Sequence, residues 1–395
     1  MTAPLDGIVV VSLEQAIAAP FATRQLADLG ATVIKVERPE GDFARHYDSV
    51  VEGESAFFVW ANRGKQSVAI DVKSTTGADT LENMIAGCDV FLHNLSPRAA
   101  RSLGIDAATL HARYPHLIAA EISGYGLDGP RAEDKAYDLA IQAEAGVFSV
   151  TGDEVMSKAG FSAADISAGM YALSSILAAL LRRERTGEGA AVHVAMLDVL
   201  AEWMAAPMYG AVYGGGQPPR TGRRHHSIAP YGTFDLTDGT TILIAVQRDG
   251  EWRSLAEHLF DDAGLVTDQR FATNSDRIAH VDELETLLSA RMGAMPADEV
   301  RGRLDAGRIA YAHVNDLHDV WQHEQLRARD RFTMVSTPSG QVELLAAPFD
   351  ITDLPTAQPR VPEIDEHDPA VLAAVVQAGR ARRIAADPSE QGGSP

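Results

Sequence analysis

Apolar and polar positions come in blocks along this chain. Residues 7–13 (GIVVVSL) form a nearly continuous β-branched run, the pattern of a parallel strand buried on both faces. Pro20 opens a helical stretch, FATRQLADLG, that Gly30 stops. Residues 32–36 are a second strand, followed by the polar loop ERPEGDFAR. The pattern then repeats: strand 67–72, helix 77–87, strand 89–95, helix 107–116, strand 117–122. A long apolar helix within 160–185 precedes strand 190–196 and helix 198–213. Alternating strands and helices predict a doubly wound α/β domain. Ligands in such sheets bind beyond the carboxyl ends of the strands. The loops 14–19, 37–45, 94–101 and 123–137 therefore become the candidate site.

The texture changes at GGGQPPRTGRR, a linker by composition. Two short strands, 231–234 and 240–246, flank Asp238-Gly239, a hairpin signal. Helices are predicted at 251–260, 282–292 and 297–305, and a strand at 341–346. The expected division is a large domain over 1–213, a linker over 214–226, a small α+β domain over 227–330, and a linker and C-terminal return to the large domain over 331–395. That return rests on 361–366 and an apolar helix at 370–378. The tail after Asp387, PSEQGGSP, is small and polar, as in a disordered terminus.

Charge removes some functions. The formal net charge is −21, and only RTGRRHH (220–226) is locally basic, so a nucleic-acid role is disfavoured. Cys88 is the single cysteine; it cannot form an intramolecular disulfide and reads as a small core residue. No Cys/His cluster has zinc spacing, so no metal is expected. The N-terminus has no basic leader region. The longest apolar run, about 170–181, is broken by Ser174 and Ser175 and falls short of the ~20 residues a bilayer span needs. A soluble, cytoplasmic protein with no membrane partner is the expectation.

Several residues could carry chemistry. Asp165 stands at the head of its long helix among small neighbours. It reads either as a helix cap or as a carboxylate nucleophile within reach of a large substrate. Gly124-Tyr-Gly-Leu-Asp-Gly129 matches G-x-G-x-x-G after a strand. Pro130 follows at once and no helix start does, so these glycines read as a sharp loop rather than a dinucleotide site. No G-x-S-x-G lies in a strand–turn–helix context. Arg38 and Lys135 sit on separate strand-end loops. Each alone is a solvated charge; together they could hold phosphates. Asp138 opens the helix YDLAIQAEAG as a first-turn acid. His225 and His226 are adjacent, and neighbours in sequence point apart, so they do not read as metal ligands.

An ordered set of motifs changes the weight of these residues. LDGIVVVSL, LADLGATVIKVERPEGDFAR, NRGKQSVAIDVK, DVFLHNLSP, ISGYGLDGP, YDLAIQAEAG, DISAGMYALSSILAALLRRERTGEG, IAPYGTFDLTDG and APFD run from Leu5 to Asp350. In that order they resemble the class III coenzyme A transferase family, which also contains acyl-CoA racemases and carnitine-type CoA transferases. The resemblance implies a Rossmann-like large domain built from both termini, a smaller α+β domain, and two chains interlaced like linked rings. It places the nucleophilic aspartate at Asp165. Arg38, Lys135, Asn94, Tyr137 and Asp138 fall at CoA-side positions. It implies acyl-CoA and a small carboxylic acid as substrates, with no permanently bound cofactor.

Departures refine the expectation. The racemase branch has a histidine where this chain has Tyr137, which removes a proton-transfer base and favours transfer. The alternatives are an acyl-CoA racemase or isomerase and a non-catalytic acyl-CoA-binding protein; a dinucleotide dehydrogenase is more distant. RRHHSIAPYG replaces the glycine-run loop of formyl-CoA transferases. Arg224, His225 and His226 are therefore candidates for recognising the acid, by charge alone. Ser102 stands where relatives often carry an arginine, and the neighbouring Arg101 is given little weight.

Overall fold

The structure is a computed structural model that describes residues 3–352 and 359–386; the tail after Asp387 lies outside them. The chain divides into two compact units. One takes the residues up to 147, 158–206 and those from 326 on; the other takes 148–157 and 207–325. The expected linker at 214–226 thus belongs to the second unit.

The first unit is built on six strands: β1 (Val9–Leu13), β2 (Thr32–Glu37), β3 (Gln66–Ala69), β4 (Val90–His93), β5 (Ile118–Ser123) and β6 (Ala190–Ala195). All neighbours are parallel, in the order β3-β2-β1-β4-β5-β6. Val10 lies opposite Val33 and Val90. Side chains alternate between two cores, as strand geometry requires. Val10, Val33, Leu92 and Ala120 enter one; Val11, Ile34, Phe91 and Ala119 enter the other. The strand order reverses between β1 and β4, the switch point where such sheets open a crevice.

Helix Ala18–Asp28 and the 24-residue helix Ala163–Thr186 cover the first face. Their backbones come close because the contact is lined by small residues. A Cβ added to Gly169 would lie 2.6 Å from the carbonyl oxygen of Ala18. Gly187, at φ +75°, closes the long helix. This helix is longer than the apolar run read from the sequence. By length and composition it is long and apolar enough to cross a membrane, and half of that window is buried inside the unit. On the second face lie helices Thr75–Gly87, Ala107–Arg113 and Pro369–Ala386. A Cβ at Gly379 would collide with the Asn83 carbonyl.

A hairpin, β10 (Phe332–Thr337) and β11 (Gly340–Leu345), also belongs to this unit. Val335 and Val342 pack it against Ala44, Phe58 and Val59. Neither β10 nor helix Ala56–Asn62 was expected from sequence.

In the second unit, β7 (Tyr231–Asp235), β8 (Thr241–Ala245) and β9 (Ala310–His313) form an antiparallel sheet. Asp238 orders the β7–β8 turn by accepting the Thr240 N–H at 3.0 Å. It also accepts the Ala297 N–H at 2.8 Å, at the start of helix Ala297–Ala306. Trp252, Leu284, Leu288 and Val300 fill the core against Ile242 and Ile244. The protein is thus a mixed α/β chain with a large parallel sheet and smaller antiparallel ones.

Candidate active site

The carboxyl ends of β1, β4 and β5 supply the walls of one cavity. β1 runs into a turn at Glu14, Gln15 and Ala16; β4 runs into Asn94; β5 runs into the loop 124–137. That loop is folded by its glycines, not by a phosphate-binding helix. Gly126 and Gly129 take φ of +104° and +83°, and Ala136 packs so closely on Gly124 that a side chain there would clash.

The cavity, about 490 Å³, brings together Asn94, Lys135, Tyr137, Asp138 and Asp165, with Gln15, Tyr47 and Phe57 in its wall. Arg38 lines a second cavity of about 490 Å³, with Lys73. Gln15 and Leu95 are common to both. Neither the Arg38 guanidinium nor the Lys135 ammonium has an ion pair among the described residues, and both are exposed. Arg101 is paired with Glu133.

Asp165 is the third residue of its helix, after Ala163 and Ala164. It is not the cap. Ser162 holds the cap position without a side-chain hydrogen bond. The cap comes from elsewhere: Asp138 Oδ1 accepts the N–H of Ala164 at 2.8 Å and of Asp165 at 3.2 Å. Gln142, fully buried, holds this arrangement. Its Nε2 donates to Asp138 Oδ2 at 2.8 Å and to the Phe161 carbonyl at 3.1 Å, and its Oε1 accepts the Ala159 N–H. Neither Gln142 nor Gln15 was singled out from sequence. The i, i+4 spacing of Asp138 and Gln142 was the available signal.

The Asp165 carboxylate itself makes no hydrogen bond or ion pair with described residues. Burial, and then the negative charge of Asp138, push its pKa up to about 7. A helix N-terminus alone would have kept it ionised well below that. Here desolvation and a like charge outweigh the helix end.

Two expected CoA contacts are committed to structure. Asn94 brackets Gln15: its Oδ1 accepts the Gln15 N–H at 3.0 Å and its Nδ2 donates to the Gln15 carbonyl at 2.8 Å. Asp138 is the trans-acting cap. Tyr137 is 69% exposed and open to a ligand.

Arg224, His225 and His226 lie in the second unit. Arg224 Nη1 is already paired, with Asp282 at 3.0 Å and Glu285 at 3.1 Å. The two histidines do not point apart. Their rings stack at 4.8 Å, and His225 also stacks on Tyr231 at 5.2 Å. Burial first, then the His226 neighbour, lowers the His225 pKa.

Residues 5–368 match CoA-transferase family III. Succinate–glutarate CoA-transferase of Agrobacterium fabrum is 32% identical over 382 residues, covering 94% of this chain and 95% of that one. Acetyl-CoA:oxalate CoA-transferase of Acetobacter aceti is 31% identical over 374 residues, covering 93% and 95%. The crystal structure of a CAIB/BAIF family protein from Brucella suis superposes with a TM-score of 0.82 at 34% identity, covering 95% of this chain and all of that one. The chain belongs to CoA-transferase family III and is, in class, a CoA transferase.

Proposed function

We propose that this protein moves CoA from an acyl-CoA to a free carboxylic acid, with Asp165 as the nucleophile. The supporting observation is a carboxylate that has no hydrogen-bond or ion-pair partner among the described residues and lines a cavity. Two cations, Lys135 in that cavity and Arg38 in the adjoining one, have no ion pair among the described residues. Asp165 attacks the thioester carbonyl and expels CoA thiolate, leaving a mixed anhydride. The thiolate attacks the aspartyl carbonyl, releases the first carboxylate and forms an aspartyl-CoA thioester. The acceptor carboxylate attacks that thioester and again expels thiolate. The thiolate then takes the acceptor's acyl group and regenerates Asp165. Every intermediate holds one activated carbonyl, as an anhydride or a thioester, so no step falls into a deep well.

Arg38 and Lys135 are assigned to the phosphates of CoA, and Tyr137 to the flank of the bound thioester. Asn94 and Asp138 are assigned to the frame: one holds the Gln15 turn, the other the Asp165 helix. The named activities of the relatives make short dicarboxylic acids the first acceptors to test, with succinyl-CoA as donor. The chain is further read as a soluble, cytoplasmic homodimer of interlaced chains. The apolar helix Ala205–Tyr213, which buries none of its residues, supports a partner.

The test is chemical trapping. Protein incubated with succinyl-CoA and hydroxylamine should carry a hydroxamate on the Asp165 peptide, read by mass spectrometry. Asp165→Ala should keep CoA binding and lose transfer. A turned-over thioester with no hydroxamate would refute the nucleophile. Solvent deuterium at the carbon next to the thioester would favour a racemase instead.

A further inference from the structure

Below the Gln15 turn lies a group of buried charges that the proposed chemistry does not use. Glu14, Lys35, Glu37, Asp42 and Lys65 are all buried, and Lys35, Glu14, Asp42 and Lys65 have no exposed side-chain surface. Lys35 Nζ lies 2.8 Å from Asp42 Oδ2, and Lys65 Nζ 2.7 Å from Glu14 Oε1. Buried pairs of this kind are poor stabilisers, because taking both charges out of water consumes most of their attraction. Their placement is more informative. Asp42 Oδ1 accepts the N–H of Ala16 at 3.2 Å and of Ala44 at 3.0 Å. Lys35 Nζ also reaches the Glu14 carbonyl at 3.4 Å. Asp42 and Lys35 thus grip the backbone on either side of Gln15, and Asn94 grips Gln15 itself.

That backbone needs gripping. Ala16 has φ +61°, a left-handed conformation that a residue with a Cβ adopts only when its surroundings enforce it. Gln15, Ala16 and Asp165 all line the same cavity. We propose that Asp42, braced by Lys35, is a positioning residue that holds the Gln15–Ala16 turn left-handed and so fixes the wall of the Asp165 cavity. The proposal rests on the reading of Asp165 as the reacting group.

The paired variant Lys35→Met, Asp42→Leu removes both charges together and leaves no orphan ion. Its crystal structure should have Ala16 out of the left-handed region. Hydroxamate formation at Asp165 from succinyl-CoA and hydroxylamine should slow at least tenfold. Adding Ala16→Gly should return at least threefold of that rate, since glycine takes a positive φ without a Cβ clash. Loss of buried charge as such would give no such rescue. A triple variant no faster than the paired one overturns the proposal, as does a paired variant that keeps Ala16 left-handed. If the paired variant does not fold, Ala16→Gly alone decides: a higher Tm than wild type fits a strained, enforced turn, and a lower one overturns it. Wild-type protein that traps nothing counts against Asp165 as the nucleophile, and the crystal structures still decide the turn.

Discussion

At Asp165 two effects act in the same direction. Burial disfavours the ion, and Asp138 adds a like charge, so the acid titrates at about 7. As the proposed nucleophile it attacks only when ionised. Transfer should therefore rise with pH through about 7 and level off above it, in a kcat/KM profile that reports the free enzyme. Asp138→Asn keeps an oxygen to accept the Ala164 and Asp165 N–H groups but removes the charge. The midpoint should move down, and only part of the way, because burial is the larger cause. A midpoint that stays put would mean that Asp138 acts purely as a cap. The same shift has a stability consequence. A carboxyl whose pKa is higher folded than unfolded favours folding below its unfolded pKa, and that contribution is lost as pH rises towards 7. Asp165→Asn should thus raise Tm, and raise it more at pH 8 than at pH 4. Equal shifts at both would contradict the buried-acid account.

Asp165 lies in the first turn of one helix and the Gln15 turn leads into another, and one glycine, Gly169, lets these two helices pack closely. With the Ala18 carbonyl 2.6 Å and Phe21 Cδ1 3.1 Å from a Cβ at Gly169, Gly169→Val must push helix Ala163–Thr186 off helix Ala18–Asp28. Overpacking of this kind costs about 1–3 kcal/mol, to be measured by chemical denaturation. CoA transfer should fall further than the lost stability accounts for, because Ala18 lies only two residues beyond Ala16 of the turn. The elements themselves were legible where one physical signal dominates. Buried parallel strands are largely apolar runs, and β1, β2 and β5 could be read directly even though Ser12, Lys35 and Glu121 interrupt them. Helix Ala56–Asn62 (AFFVWAN) has no polar face to reveal a period, and β9 (AYAH) is too short and exposed to carry one. Contacts made across the fold left no local trace. The Asp138 cap reaches over 26 residues. Asp42 reaches Ala16 from the next strand-end loop. The acids that pair Arg224 are about sixty residues along the chain. Sequence thus offers Asp165 as a candidate, and the fold sets its pKa.

On the scale of the whole molecule, a chain of net charge −21 repels its own copies, and this repulsion falls off within a Debye length of about 8 Å at physiological salt. Association therefore needs apolar surface. Helix Ala205–Tyr213 (AAPMYGAVY) offers it: Met208, Tyr209, Val212 and Tyr213 are 45–84% exposed. Tyr209 and Val212, three residues apart, share a helix face. If the proposed dimer uses this face, Tyr209→Asp combined with Val212→Asp should lower the mass measured by light scattering from two chains to one, or leave the protein insoluble. Unchanged dimers would place the interface elsewhere. Interlacing makes a stricter demand than dimerisation. Two linked rings cannot part without opening one of them, so subunit exchange has to pass through unfolding of at least one chain. Two preparations carrying different tags, mixed under native conditions, should form no mixed dimers over many hours. The same mixture should form them after denaturation and refolding. Exchange within minutes at native pH would leave a dimer standing but rule out linked chains, because a surface-docked pair separates without breaking a fold.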